Sequence, residues 1–229
     1  MTTSVDQEPP YLYPDYVGTR LRAPRKPLVR VPAGSHDFPA PMFPREISEL
    51  GNDLTRQHSG EPLGERIIVT GRVLDSDGRP IKHTVVEIWQ ANAAGRYLDQ
   101  EDQHPAPLDP NFSGAGRCLT DGEGHYQFVT IKPGAYPWLN HQNAWRPAHI
   151  HFSLLGQYFR SRLVTQMYFP GDPLMPKDPI LQSIPDPAGR ERLVSSWDPD
   201  TTVPQWALGY RWDIVLRGRE ATPFEEGHR

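Results

Sequence analysis

The amino-acid sequence predicts an all-β fold: a β-sandwich of mixed and antiparallel strands with long functional loops, preceded by an extended N-terminal arm. Three observations point there. Proline supplies 26 of the 229 residues, twice its usual ~5% share, which disfavours helices and favours strands joined by stiff loops. Short runs rich in β-branched and aromatic residues alternate with Gly, Pro and Asp turn signals. No segment carries the 3.6-residue period of a helix over enough length to build an α/β layer. The length suits one domain with a full hydrophobic core, with residues 1–63 as a proline-rich arm and 64–229 as the sandwich.

In chain order, the arm is rich in Pro, Arg and Gly, and only residues 44–57 (PREISELGNDLTRQ) have the pattern of a short helix. Its basic piece, 19–30 (TRLRAPRKPLVR), reads as an extended stretch lying on a partner subunit rather than as a nucleic-acid arm, because no aromatic interleaving follows. Residues 66–74 (RIIVTGRVL) read as a strand, 75–80 (DSDGRP) as a turn and 84–90 (TVVEIWQ) as a second strand. Residues 116–121 lead into a DGEG turn, after which 125–131 (HYQFVTI) alternates as a strand until Pro133-Gly134 ends it. Segments 149–154 (HIHFSL), 162–168 (RLVTQMY) and 210–217 (YRWDIVLR) complete the set. Between strands lie long loops at 91–113 and 135–148, and loops on a rigid β scaffold are where chemistry usually sits.

Composition excludes several classes. A formal net charge of −4 gives no field to attract nucleic acid or an anionic membrane. No run of ~18 apolar residues exists to span a bilayer, and the N-terminus has no apolar signal core. A single cysteine, Cys118, allows no intrachain disulfide and fits a reducing, cytoplasmic setting. No GxGxxG follows a strand, so neither nicotinamide nor flavin is implied.

The chemistry-bearing constellation begins with His149-Ile150-His151. On a strand, residues i and i+2 share a face, so two imidazoles can point at one metal ion while Ile150 enters the core. An isolated pair of this kind is more often two hydrogen-bonded or solvent-facing histidines. Here it follows Tyr136, Trp138, Trp145 and Arg146 within a short stretch. No Asp or Glu nearby has the spacing of a two-His-one-carboxylate iron(II) site, and no CxxC or HExxH exists for zinc. The residues left to complete an anionic site are tyrosines. A free tyrosine has a pKa of ~10, so a phenolate ligand demands a strongly Lewis-acidic cation such as iron(III).

With its surroundings, the pattern resembles a known family. Tyr97 in 91–97 (ANAAGRY), Tyr136 in 134–138 (GAYPW), and His149 and His151 in 146–152 (RPAHIHF) look like the iron-ligand set of the intradiol ring-cleavage dioxygenases. Supporting stretches are 64–72, 86–97, 104–112, 130–152, 163–173 and 210–218, which span most of residues 64–218. Within the family the likeness is to the iron-bearing β chains that act on protocatechuate. It implies a non-haem Fe(III) cofactor, O2 as co-substrate, 3-carboxy-cis,cis-muconate as product, and an α chain as partner in a hetero-oligomer of αβ units. By the same resemblance Tyr97, His149 and His151 are permanent ligands, and Tyr136 is the ligand that leaves when the catechol chelates. Arg146 stabilises negative charge developing on the ring, and Gln166 hydrogen-bonds beside it. Trp138 and Ile180 wall the pocket, and Tyr16 reaches it from the arm. One departure is Leu139, where the family pattern carries a basic residue.

Blander assignments stand beside these. Tyr97 and Tyr136 fit ordinary core or interface tyrosines, and Arg146 fits an ion-pair partner for a carboxylate. Trp89 and Trp145 read as core, Cys118 as a small buried hydrophobe, and His104, His125 and His141 as loop histidines. Three rival functions remain: an intradiol dioxygenase for catechol, hydroxyquinol or sulfocatechol; a non-enzymatic β-sandwich binding module; and a zinc or iron(II) enzyme built on the two histidines. The helical N-terminal domain that the resemblance associates with the catechol and hydroxyquinol enzymes has no counterpart in the proline-rich arm.

Overall fold

The computed structural model describes residues 8–29, 51–100, 102–138, 145–156 and 162–225. Its strands are β1 (Arg66–Leu74), β2 (Val85–Trp89), β3 (Ala115–Leu119), β4 (His125–Ile131), β5 (Tyr136–Pro137), β6 (Trp145–Arg146), β7 (His149–Leu155), β8 (Leu163–Tyr168), β9 (Ser196–Trp197), β10 (Leu208–Arg211) and β11 (Ile214–Val215). Short helices are α1 (Thr19–Arg22), α2 (Pro179–Gln182) and α3 (Pro187–Glu191).

The strands form the expected sandwich. In one sheet β1 pairs antiparallel with β4 along its length, from Arg66↔Ile131 to Arg72↔His125. Its other edge pairs in parallel, first with β10 and then with β11, and β9 closes the sheet beyond β10. The second sheet, β3-β2-β7-β8, is antiparallel throughout. A two-stranded ribbon, β5–β6, stands apart. Period-2 alternation fixes the facing: Ile67, Val69, Val73, Tyr126 and Phe128 of the first sheet meet Val86, Ile88, Ile150, Phe152 and Leu154 of the second in one core. Phe152 is its hinge point, with ring centroids 5.7 Å from Tyr126, 6.3 Å from Phe128 and 4.8 Å from Trp212.

The expected strand at 210–217 is two strands. Between β10 and β11, Trp212 turns its indole into the core, where Nε1 donates to Arg192 O at 2.7 Å, and Asp213 accepts from Arg72 N at 2.9 Å. The Trp212 carbonyl presses so close to β1 that a Cβ on Gly71 would lie 1.8 Å from its oxygen, so only glycine fits there. Strand β3 was not expected because Ala115 and Gly116 blur its alternation; pairing with β2 holds it. Of the helix expected at 44–57, residues 51–57 are described and hold one 3-10 turn (Leu54–Arg56) capped by Asp53. Leu54 of that turn is buried in the core. The basic piece of the arm contains the one-turn helix α1, tied by Thr19 Oγ1 donating to Tyr13 O or Tyr16 O, each at 2.8 Å. Among the described residues, no helix is long and apolar enough to cross a membrane.

Cys118, on β3, is buried, and burial pushes its thiol pKa up to about 12. The thiolate is the reactive form, so a disulfide reagent at neutral pH is expected to leave the native chain unlabelled and to modify Cys118 only in denaturant. Fast stoichiometric labelling of native protein would show that the β3 edge opens.

Candidate active site

Sheet two has its core face on the sandwich and its other face on the site. His149 and His151 leave β7 on that outer face. The register sets Tyr168 beside His149, and Trp89 and Gln166 on either side of His151. The two imidazole centroids are 4.9 Å apart. His149 Nδ1 lies 2.8 Å from Pro147 O, and His151 Nδ1 lies 3.0 Å from Glu225 Oε2. With both Nδ1 atoms engaged as donors, the Nε2 atoms are left for the site. Trp89 stacks flat on His151 at 4.8 Å and 5°.

Tyr97 arrives on a tight turn. Asn92 Oδ1 accepts from Ala94 N and Arg96 N, and Tyr97 N donates to Asp102 Oδ2 at 2.8 Å. Gly95 of this turn has φ +78°, and a Cβ there would lie 2.1 Å from Ala135 O. The loops carrying Tyr97 and Tyr136 are thus pressed together, and their rings meet edge to face at 5.2 Å. Tyr97 exposes part of its ring, but its hydroxyl is buried without a hydrogen-bond partner of acceptable geometry.

The expected loop at 135–148 contains the β5–β6 ribbon, in which Tyr136 sits directly opposite Arg146. Arg146 is 1% exposed. Its Nη2 donates to Gln166 Oε1 (2.6 Å), Asp178 Oδ2 (2.8 Å) and Tyr168 Oη (3.1 Å). Its Nη1 faces His149 Nε2 (3.0 Å) and Tyr136 Oη (3.3 Å). Tyr136 Oη is also 3.4 Å from His149 Nε2. The structure therefore satisfies both readings of Arg146: it is an ion-pair partner, to Asp178, and it lies against the tyrosine–histidine cluster. Gln166 Oε1 must accept from Arg146, which leaves Nε2 as a buried donor toward Glu225.

Burial drives the electrostatics. It pushes the Tyr97 phenol well above its ordinary value, reinforced by Tyr136 and only partly offset by Arg146. Burial likewise raises Tyr168, with Asp178 adding to it. Burial, then Arg146 and His151, hold His149 well below the usual imidazole range, so its ring is neutral. Burial opposes the charge on Arg146, but Asp178, Tyr136 and Tyr168 more than offset it. At Glu225 burial is likewise the largest influence and raises the pKa, yet His151, Arg146 and hydrogen bonding together hold the carboxyl below its ordinary value.

Tyr16 is buried and packs on Trp138 at 5.0 Å, and Trp138 lies 5.3 Å from the Arg146 guanidinium. Ile180 is buried on α2, and its N–H donates to Asp178 Oδ1 at 3.0 Å, so it joins the cluster through that carboxylate. Leu139 and His141 lie outside the described residues. Trp89 is at the site, stacked on His151, rather than in the core; Trp145 is exposed and meets His104 at 6.1 Å. Sequence reading missed Tyr168, Asp178 and Glu225. Tyr168 was within reach, because it shares the Gln166 face of β8 by period 2. Asp178 before Pro179 signals a helix cap, but nothing in the sequence links it to Arg146. Glu225 lies past the last strand and carries no signal.

Among the described residues, no three His, Cys, Asp or Glu side chains gather as a metal site, so any metal here depends on the tyrosines. The donor set fits a hard, highly charged cation. Two imidazoles have their Nδ1 atoms committed elsewhere, and the buried Tyr97 hydroxyl lies against a second phenol with no hydrogen bond of good geometry.

Two family models match the chain: a dioxygenase model over residues 38–218, and the N-terminal model of the protocatechuate 3,4-dioxygenase beta subunit over residues 6–33. The chain belongs to the intradiol dioxygenase family, the enzymes that open catechol rings. It is 60% identical over 220 residues to the protocatechuate 3,4-dioxygenase beta chain of Burkholderia cepacia, covering 95% of this chain and 93% of that one. The alpha chain of that enzyme from Pseudomonas putida is 29% identical over 79% of this chain and 84% of its own length. Among solved structures, the dioxygenase domain of a carbohydrate-binding fusion protein from Streptomyces sp. SirexAA-E matches with TM-score 0.52 and 26% identity. That match covers 77% of this chain and 92% of the other.

The Arg146–Asp178 pair gives a stability test. Removing one member of a buried pair leaves an uncompensated charge, at a cost of about 3–5 kcal/mol. Asp178→Ala is therefore expected to lower the urea unfolding midpoint by that equivalent. Asp178→Asn, which keeps the helix cap, should cost less. Equal midpoints for Asp178→Ala and the parent chain would show that Arg146 finds another counter-charge.

Proposed function

We propose that this chain is the iron-bearing subunit of an enzyme that cleaves protocatechuate between its two hydroxyl-bearing carbons, adding both atoms of O2 to give 3-carboxy-cis,cis-muconate. One observation carries the reading: the buried Tyr97 hydroxyl lies against a second phenol, Tyr136, in one cluster with two imidazoles whose Nδ1 atoms are engaged elsewhere. Tyr97, Tyr136, His149 and His151 are the residues that would hold iron(III). Bound there, the ion would supply the Lewis-acidic centre on which a catechol is held and made reactive toward dioxygen. Two phenolates and two neutral imidazoles offset most of its charge, which suits a buried site.

The remaining chemistry belongs to the chain's own residues. Tyr136 is the ligand suited to leave, because its oxygen already lies 3.3 Å from Arg146 and 3.4 Å from His149. Tyr136 Oη would be placed to accept one of the two catechol protons. Arg146, fixed by Asp178, keeps a positive charge beside the ring as negative charge develops on it. Gln166 Nε2 offers a donor to the same region. Trp138, Ile180 and Tyr16 wall the pocket and exclude water.

Residues 1–63 act as a partner-contacting arm on the catalytic domain at 64–229, and the partner is an α chain of similar fold. The 29% identical α-chain relative supports a common architecture for the two chains, and the exposed apolar side chains of Leu12, Leu21, Leu28 and Val29 on the arm suit a protein contact. The α chain would supply part of the site that binds the substrate carboxylate. A reducing cytoplasm suits the lone buried thiol.

The test is a visible spectrum of the protein produced with its α chain, before and after anaerobic protocatechuate. A red-brown charge-transfer band that shifts on substrate is expected, and Tyr97→Phe or Tyr136→Phe should each alter the band and slow turnover. A colourless protein without iron, or spectra unchanged in both variants, would overturn the ligand assignment.

A further inference from the structure

His149 and His151 are alike in residue type but not in support. The Nδ1 of His149 meets a neutral carbonyl, Pro147 O, supplied by its own strand entry. The Nδ1 of His151 meets a carboxylate, Glu225 Oε2, from a residue 74 positions away. That carboxylate is nearly buried and lies outside every segment that carried the family likeness. It is held in place with care. After β11 the chain turns back, and Thr222 N donates to Val215 O at 2.8 Å while Thr165 Oγ1 donates to Pro223 O at 2.7 Å. Glu225 N then donates to Val164 O at 2.9 Å, and Phe224 N donates to Glu8 Oε2 of the arm at 3.0 Å. These bonds aim the Glu225 side chain at the edge of His151, whose face Trp89 covers. The ring is thus fixed in tilt by the indole and in rotation by the carboxylate.

We propose that Glu225 is a positioning residue for His151: its carboxylate takes the Nδ1 hydrogen, presents Nε2 to the site, and makes His151 the stronger of the two imidazole donors. The C-terminal segment 221–225 is then part of the site's construction rather than a trailing end. A carboxylate on the far nitrogen raises the basicity of a ligating imidazole, and loss of such a partner typically weakens metal affinity by roughly 10–100-fold. A carbonyl, as at His149, orients the ring but adds no charge. Arg146 does not claim Glu225 as its hydrogen-bonded counter-ion, since Asp178 fills that place. The proposal rests on the reading of His151 as a metal ligand.

The experiment uses the full chain produced with its α chain and compares Glu225→Gln, Glu225→Ala and His151→Ala. Two quantities are read: the rate of iron loss to a strong chelator, and the urea unfolding midpoint of iron-free protein. For Glu225→Ala the rate of iron loss should rise roughly 10–100-fold. For Glu225→Gln, whose amide oxygen still accepts the hydrogen bond but lacks the charge, the rise should be smaller and the iron-free midpoint unchanged. Parental rates of iron loss in both Glu225 variants, alongside a His151→Ala protein that holds no iron, would overturn the proposal and leave the functional reading intact. A midpoint lowered by Glu225→Ala with iron loss unchanged would reduce Glu225 to a structural tie, which also overturns it. Iron held normally by His151→Ala would overturn the functional reading itself.

Discussion

The burial of the Arg146 guanidinium constrains everything around it. A cation taken out of water costs several kcal/mol unless it is paired and its donors are met, and Arg146 is 1% exposed. Asp178 supplies the counter-charge, Gln166 and Tyr168 supply further acceptors, and Nη1 is left facing Tyr136 and His149. Four elements are tied through this one group: the β5–β6 ribbon, β7, β8 and the start of α2. Asp178 works twice, because its other oxygen caps α2 through Ile180 N. The position of Ile180 is thereby linked to the orientation of the guanidinium. A lysine, with one donor centre and no planar fork, cannot meet that many partners at once.

The sheet supplies rigidity and the loops supply reach. Pleating alone places His149 and His151 on one face, and antiparallel register places Trp89, Gln166 and Tyr168 beside them without any loop. That outer face would ordinarily meet water. Here the turn at 92–97 and the β5–β6 ribbon lie against it, and the approach of turn and ribbon is possible because Gly95 has no Cβ to strike Ala135. The tyrosines therefore come from a turn and a short ribbon, and the histidines from the sheet itself.

How much of this was legible in the sequence follows from the range of each interaction. Strands β1, β4 and β8 were readable because alternation and turn residues are local signals, and β7 followed from His-x-His flanked by apolar residues. The split at Trp212 was not, because it arises from contacts with Gly71 and Arg192, both far away in sequence. The tyrosine–histidine set was legible as a resemblance, and the structure brings its members together, but their partners were harder. Asp178 and Glu225 act across 32 and 74 residues, where neither spacing nor periodicity carries information. Trp89 was taken for core because an aromatic on a strand usually is; its parity with Glu87, on the outward side of β2, was the overlooked clue.

Buried charge and buried polar atoms gather on the outer face of the second sheet. Arg146 and Asp178 cancel, whereas Glu225 is held below its ordinary pKa and adds a buried negative charge beside His151. Burial keeps Tyr97 protonated, and its hydroxyl makes no hydrogen bond of good geometry. Native interiors rarely leave buried polar atoms unpaired, and such exceptions gather where local satisfaction has been given up for function. A cation among these groups would act on both the hydroxyl and the charge. It would engage the Tyr97 hydroxyl, make phenolate formation favourable in a low-dielectric pocket, and balance the charge that Glu225 brings. Burial and local satisfaction thus pull against each other at the same few atoms. The sandwich core, whose residues lie on the opposite face of the sheet, lets the fold stand while those atoms remain unsatisfied.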